Sequence, residues 1–285
     1  MTHVKRVVGH ASCSRLSTAS AWQVSPIAES LSRQTEAGGD SRILLGTTMR
    51  LERIPTGTGA ILYDPSRLDH PCPADFDPAA LGAAGRVAAT APGRGSAWFL
   101  APRPGGAPQV LRHYRRGGLV ARLIEDRYLW SGAEATRGFR ELALLARIEA
   151  LGLPAARPVA ARYERAGAWY RADLLTVAIE GARPLAELLD GAQGAAPWPQ
   201  VGRTIRAFHD AGIRHADLNA RNILVAGDGT VHLIDFDRGA EARPGAWRAA
   251  NLARLARSLA KFGGPGTESE EWRALLAGYD AGLRA

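Results

Sequence analysis

The sequence predicts an α+β chain in which a β-rich first half with a few helices precedes a helical second half carrying one hairpin. Three observations predict it. Short apolar runs bounded by turn residues recur up to Ile179, the pattern of half-buried strands. Beyond Ile179, apolar residues return at helical spacing in several segments,. Between those helices, Ile223–Val225 and Val231–Ile234 flank Gly227-Asp228-Gly229, and Asp-Gly between two apolar runs signals a hairpin,.

Residues 1–48 are rich in Ser and Thr, lack periodic apolar spacing and contain no acidic residue before Glu29. They are expected to be a disordered extension. Lys5, Arg6 and Arg15 are not followed by an apolar stretch, so the segment makes a poor secretory signal. Ordered structure is expected to begin at Met49, with Met49-Arg50-Leu51-Glu52 and then Gly59–Tyr63. Strand-like runs follow at Ser96–Leu100, Gln109–Arg112 and Ala172–Ile179. Helical patterns lie at Gly118–Trp130 and Thr136–Leu151. The second places Phe139, Leu142, Leu145 and Ala146 on one side and ends at Gly152 with Pro154 beyond, a helix stop. After Ile179 the helical segments are Pro184–Asp190, Gln200–Ala211, Trp247–Phe262 and Ser269–Leu283. The expected division is therefore an extension over 1–48, an N-terminal unit over 49–180 and a C-terminal unit over 181–285.

Composition bounds the chemistry. Hydrophobic residues make up 46% of the chain and charged residues 22%, values that exclude a wholly disordered, collagenous or coiled-coil chain. No apolar run reaches the ~18–20 residues of a spanning helix. The cysteines Cys13 and Cys72 cannot build a disulfide framework, so a reducing compartment is the default. The net charge is +8, and all but Lys5 and Lys261 of the 36 basic residues are arginines. A GC-rich genome would give that bias; a basic surface would also attract phosphates, nucleic acid or anionic membrane.

The densest polar cluster is His215-Ala216-Asp217-Leu218-Asn219-Ala220-Arg221-Asn222, which leads through the hairpin into Ile234-Asp235-Phe236-Asp237. Pairing the two hairpin strands brings Asn222 and Asp235 close together. A carboxylate and an amide oxygen are hard ligands suited to Mg²⁺, which is held by one or two protein carboxylates plus substrate phosphates. Asp217 is then free to accept a proton from an attacking hydroxyl. Turn chemistry explains an isolated Asp or Asn, but not four residues at coupled spacing.

That spacing resembles the catalytic half of the protein-kinase-like fold, with its H-x-D-x-x-x-x-N loop and metal-binding Asp one hairpin later. The resemblance implies a two-lobed structure, β-rich then helical, with ATP and Mg²⁺ between the lobes. Asp217 is the implied base, and Asn222 and Asp235 the implied metal ligands. Asp237 stands where the usual motif has Gly, which argues against a regulatory flip of that motif. Gly93 and Gly95 in Pro92–Trp98 are the candidate phosphate-covering loop. The phosphate-gripping cation is normally Lys; here Arg112 occupies its place, and Arg binds phosphate bidentately. Glu141, on the helix over 136–151, is its candidate partner, although a solvated ion pair is the plainer reading.

The words Leu111-Arg112-His113-Tyr114-Arg115-Arg116-Gly117-Gly118, Asp126-Arg127-Tyr128-Leu129-Trp130 and Leu233-Ile234-Asp235-Phe236-Asp237-Arg238-Gly239 are similar to those of the Kdo kinase family. These are bacterial 3-deoxy-D-manno-octulosonic acid kinases of lipopolysaccharide inner-core assembly. The resemblance runs from about Met49 to the C-terminus. It implies ATP-dependent phosphorylation of the 4-hydroxyl of Kdo on Kdo-lipid IVA, by a peripheral enzyme at the cytoplasmic face of the inner membrane. Only a short chain follows Asp235, and it holds no Ala-Pro-Glu, so a peptide substrate is not expected, and neither is nucleic acid. The arginines at 112, 115, 116, 122 and 127, with Arg254, Arg257 and Lys261 beside the stripe Leu252, Leu255, Leu259 and Phe262, are candidates for docking on anionic lipid,. A core stripe with a solvated face is the competing reading. The alternative functions are a heptose kinase or antibiotic phosphotransferase of the same fold, or a catalytically dead binding module.

Overall fold

The computed structural model describes residues 50–90, 97–115, 126–189 and 196–281. The expected extension over 1–48, Gly93 and Gly95 lie outside them, as do Arg116, Arg122 and most of the helix expected over 118–130.

Eight strands form one antiparallel sheet: β1 (Glu52–Pro55), β2 (Gly59–Tyr63), β3 (Val87–Thr90), β4 (Ala97–Leu100), β5 (Gln109–His113), β6 (Tyr128–Leu129), β7 (Pro158–Ala166) and β8 (Trp169–Val177). Their order is β1-β2-β7-β8-β5-β4-β3, with β6 also paired to β8. Successive side chains of a strand face opposite ways, and the burial follows. Leu174 and Ala161 join one core cluster; their neighbours Leu175 and Ala160 join another. On the second face lie a 3₁₀ turn (Pro73–Phe76) and a short helix, α1 (Pro78–Ala83), burying Phe76 and Leu81. On the first face lies α2 (Arg137–Ala150), which buries Phe139, Leu142, Leu145 and Ile148. Arg112 pairs across the sheet with Leu174, so it faces the α2 side.

The helical part contains α3 (Trp198–Asp210), α4 (Trp247–Lys261) and α5 (Glu270–Ala281). Where α3 crosses α5, a Cβ on Gly202 would collide with the Leu275 carbonyl, and one on Gly278 with the Pro199 carbonyl. Backbone touches backbone there, which only glycine permits. Two small sheets carry the polar cluster: β9 (Arg183–Pro184), β11 (Ile223–Val225) and β12 (Val231–Leu233), and the pair β10 (Ile213–Arg214) with β13 (Ala240–Glu241). No described helix is long and apolar enough to cross a membrane.

Two expected helices are corrected. Within the segment expected to be helical to Trp130, Tyr128 and Leu129 form β6, paired with Tyr170 and Trp169. The Tyr128 ring packs on Tyr170 at 5.5 Å, a cross-strand aromatic contact that outweighs helical spacing. The segment from Pro184 is β9 followed by a 3₁₀ turn at Leu185–Glu187. Its main chain is taken up by the hairpin, with Pro184 opposite Leu224 and Ala186 N–H donating to the Ala220 carbonyl. Strand β7 is not signalled by the sequence because Arg162 sits among its inward residues; its guanidinium is buried and paired with Asp173 at 2.8 Å.

Candidate active site

The polar cluster is held by main-chain pairing on both sides. Before it, β10 pairs with β13, the strand that follows Asp237. After it, Ile223 pairs with Leu233, and Ile234 N–H donates to the Asn222 carbonyl at 3.0 Å. The register thus sets Asn222 opposite Ile234, one residue before Asp235, and Asn222 and Asp235 line the same cleft. Asn219 ties the loop: its Nδ2 donates to the Asp217 carbonyl (3.0 Å) and to Asp217 Oδ2 (3.1 Å), while its Oδ1 accepts from Arg221 N–H (2.9 Å). Asn222 Nδ2 also donates to the Asp217 carbonyl, at 2.9 Å. The other Asp217 oxygen accepts from Arg254 of α4 at 3.0 Å.

His215 does structural work beneath the loop. Its Nδ1 accepts from Asp217 N–H (3.1 Å), so the remaining Nε2–H donates to the Ile234 carbonyl (2.8 Å). Burial pushes its pKa down, which keeps this neutral tautomer,. Its ring rests on Phe236, which stacks on Phe208 of α3. Asp235 itself adopts φ 63°, a left-handed conformation costing a non-glycine residue about 1–2 kcal/mol.

Arg112 joins the two parts of the chain. One Nη donates to Asp235 Oδ1, the other to Glu141 Oε2 and to Tyr114 Oη at 3.3 Å. Tyr114 in turn donates to the same Glu141 oxygen at 2.6 Å. Exposure rises along the row, from 2% at the Glu141 side chain through 23% at Arg112 to 40% at Asp235. The inner end is structural and the outer end is open to a ligand. Burial opposes the Arg112 charge, but Glu141 and Asp235 outweigh it and hold its pKa well above the arginine value. Burial lifts the Glu141 carboxyl above its usual range, with Arg112 countering.

Arg112, Glu141, Asn222 and Asp235 all line one cleft of about 310 Å³, walled by Val110, Leu174, Thr176, Leu224 and Ile234. An apolar slot with a few convergent polar groups is the common form of a small-ligand site. Asp217 is not among its lining residues; it is tied to the cleft through Asn222. A larger cavity on the other side of the sheet, lined by His113, Arg162 and Asp173, holds none of the expected site residues. The donor set fits Mg²⁺ arriving with a phosphate ligand: one carboxylate from Asp235 and one amide oxygen from Asn222. Among the described residues no group of three or more His, Cys, Asp or Glu side chains gathers around a point, so remaining ligands would come from phosphate and water.

Several contacts are invisible in the sequence pattern. Asp237 forms a two-pronged ion pair with Arg137, whose Nε donates to Oδ1 at 2.7 Å. Arg137 opens α2 one turn before Glu141, so this pair fixes the helix that carries Arg112's partner. The departure from Gly at 237 was the available signal. A second is a polar row behind the loop: Tyr279 Oη to His209 Nδ1 (2.8 Å), His209 Nε2 to Asn251 Oδ1 (3.3 Å), and Asn251 Nδ2 to the His215 carbonyl (2.9 Å). The stripe of α4 proves to be core: Leu255 and Leu259 are buried, with Leu252 and Phe262 packed on them.

Comparison with known proteins identifies the family. The model of the "Lipopolysaccharide kinase (Kdo/WaaP) family" matches residues 79–279. A protein of Stenotrophomonas maltophilia named 3-deoxy-D-manno-octulosonic acid kinase is 49% identical over 209 residues, spanning 73% of this chain and 83% of its own. One of that name from Photobacterium profundum is 43% identical over 226 residues, 77% and 94% of the two chains. Another from Xylella fastidiosa is 48% identical over 208 residues, 72% and 82%. With the match running from α1 into α5, across every residue of the cleft and the loop of Asp217, this chain belongs to the lipopolysaccharide kinase (Kdo/WaaP) family.

Proposed function

We propose that this protein phosphorylates the 4-hydroxyl of Kdo on Kdo-lipid IVA at the expense of ATP, in lipopolysaccharide inner-core assembly. One observation carries the reading: Arg112, paired with Glu141, and Asp235 converge on a cleft whose floor continues into the loop of Asp217. The names of the relatives support Kdo as acceptor over heptose or an antibiotic. Residues 49–180 are the ATP-binding lobe and 181–285 the catalytic lobe, with 1–48 an extension outside both; the two-lobed arrangement of kinases is consistent with a sheet-rich part followed by a helical one.

The residues would divide the work as follows. Gly93 and Gly95 cover the phosphates; Arg112 grips them, oriented by Glu141 and Tyr114. Asn222 and Asp235 hold Mg²⁺. When bound, Mg-ATP supplies a transferable phosphoryl group with its charge screened. Asp217 orients the acceptor hydroxyl and takes its proton. Its loop is fixed by His215, Asn219 and Asn222, so little reorganisation is needed, and positioning supplies most of the catalysis.

The enzyme acts as a peripheral protein at the cytoplasmic face of the bacterial inner membrane. The arginine surplus supports this, as do Arg257 and Lys261, which are exposed on α4; each basic residue near an anionic surface is worth about 1 kcal/mol. Arg254 is engaged by Asp217 instead. Transfer of radiolabel from ATP to Kdo-lipid IVA, run beside a heptose-containing core and an aminoglycoside, tests the reading. Label on Kdo-lipid IVA alone is expected; ATP binding without transfer to it refutes the assignment.

A further inference from the structure

We propose that Arg254 reads the carboxylate of the acceptor sugar acid, and so sets the enzyme's preference for an acidic acceptor. The inference rests on the function proposed above, and concerns a residue to which neither the loop motif nor the family words point.

Arg254 lies on α4, outside the loop. Its Nη1 donates to Asp217 Oδ1 at 3.0 Å, and both side chains are about half exposed, 48% and 59%. An exposed ion pair contributes little to stability, so the fold does not require it. Two contacts fix its position. Asn251, three residues earlier, donates to the His215 carbonyl, and Ser258, four residues later, accepts from Ala220 N–H at 3.1 Å. Residues three and four apart share one helix face, so Arg254 is anchored on both sides against the loop it touches. A site residue built on a packed helix is placed more sharply than one on a free loop.

The chemistry follows from that placement. An acceptor hydroxyl presented to Asp217 brings the rest of its sugar ring with it, and in an ulosonic acid that ring bears a carboxylate. Two carboxylates side by side repel, and the phosphoryl donor adds further negative charge. Arg254 is the cation in contact with Asp217 among the described residues. Its guanidinium presents five N–H donors in a plane, of which the Asp217 bond uses one. The planar fork can hold Asp217 with one prong and a substrate carboxylate with another, the geometry for which Arg is suited and Lys is not. Arg221, also near the cleft, is placed over the Phe262 ring at 4.8 Å instead.

The test compares two acceptors, Kdo-lipid IVA and its carboxyl methyl ester, with wild type, Arg254→Ala, Arg254→Gln and Arg254→Lys; Mg-ATP titration serves as the control for folding. Losing a charge-assisted hydrogen bond predicts a fall in kcat/KM for the acid of about 10- to 100-fold in the alanine and glutamine variants, mainly through KM. The ratio of kcat/KM for acid over ester should fall by about tenfold or more, Mg-ATP affinity should hold, and lysine should restore part of the acid activity. Equal losses on acid and ester would overturn the inference and leave Arg254 as a positioning residue for Asp217. No loss on either acceptor would also overturn it. Wild-type enzyme that binds Mg-ATP but phosphorylates no Kdo acceptor would instead defeat the proposed function, and this inference with it.

Discussion

Exchanging Arg112 for lysine keeps the charge and removes the fork, which makes it the sharpest probe of the cleft. Arg112 spans Glu141 and Asp235 with its two terminal nitrogens and touches Tyr114 as well. A lysine ammonium is a compact point charge and cannot reproduce both ends of that span. At least one charge-assisted hydrogen bond is lost, worth about 1.5–3 kcal/mol, so kcat/KM should fall roughly 10- to 150-fold. Arg112→Ala does more. It leaves Glu141, 2% exposed, without its cation. Breaking a buried pair costs about 3–5 kcal/mol, and burial already lifts the Glu141 carboxyl, so the residue should take up a proton. For a domain of this size that is a fall in Tm of roughly 6–20 °C. Glu141→Gln should reproduce part of the loss without the buried charge. The assay is Mg-ATP affinity by calorimetry, kcat/KM by label transfer and Tm by scanning calorimetry, for the three single variants and the Arg112→Ala, Glu141→Gln double. Residues in contact couple by about 0.5–3 kcal/mol, so the double variant should lose clearly less than the sum. A lysine variant with unchanged ATP affinity and kcat/KM, or a strictly additive cycle, would refute the reasoning.

Asp217→Ala should lower kcat by about 10²–10⁴-fold while Mg-ATP affinity, measured by titration, stays within about twofold. Asp235→Ala should abolish the Mg²⁺ dependence of ATP binding; an affinity that still rises with Mg²⁺ would remove Asp235 from the metal site. Asp237→Gly restores the common motif residue yet breaks the pair with Arg137, so kcat/KM should drop about tenfold, as for one lost charge-assisted bond, and Arg137→Ala should match it. Burial holds the His209 pKa down to about 4, while the unfolded chain titrates near 6.5. Between these values the unfolded state binds a proton that the native state refuses. Stability is therefore full above about pH 6.5 and falls as pH drops toward 4, by on the order of 3 kcal/mol, with buried His215 acting in the same direction. Urea unfolding at pH 7.5, 6 and 5 checks this, and His209→Gln should flatten the profile.

Local signals were legible where local chemistry decides the structure. The hairpin at 223–233, the long helix ending before Gly152 and the cluster from His215 to Asp235 could be read because turn residues, helix stops and motif spacing are short-range features. The Arg112–Glu141 pair was also anticipated, since the resemblance supplied the two positions. What escaped the sequence is held by distant partners. Strand β7 hides its alternation behind Arg162, whose pairing with Asp173 becomes visible only once the strands are adjacent. The segment at Tyr128 has helical spacing but finds an aromatic partner in β8. Arg254 looked like one cation on a solvated helix face until the docking of α4 brought it against Asp217. Asp237 was recognisable as a departure, but its partner lies a hundred residues earlier.

The polar row behind the loop has a direction. Asn251 spends its amide N–H on the His215 carbonyl, so its oxygen must accept, His209 Nε2 must carry the proton, and His209 Nδ1 must accept from the Tyr279 hydroxyl. Every donor in the row thus points from the final helix toward the loop of Asp217. Replacements of equal shape are then unequal in effect. Asn251→Asp keeps the outline but presents an acceptor to a carbonyl, reversing the polarity at the link nearest the loop. Tyr279→Phe only drops the outermost donor. A proton added to His209 acts like a reversal in mid-row, since both ring nitrogens then donate and the Tyr279 hydroxyl must swing its hydrogen away and accept from Nδ1 instead,. The helix pinned by Gly202 and Gly278 thereby imposes on the loop a sense as well as a position.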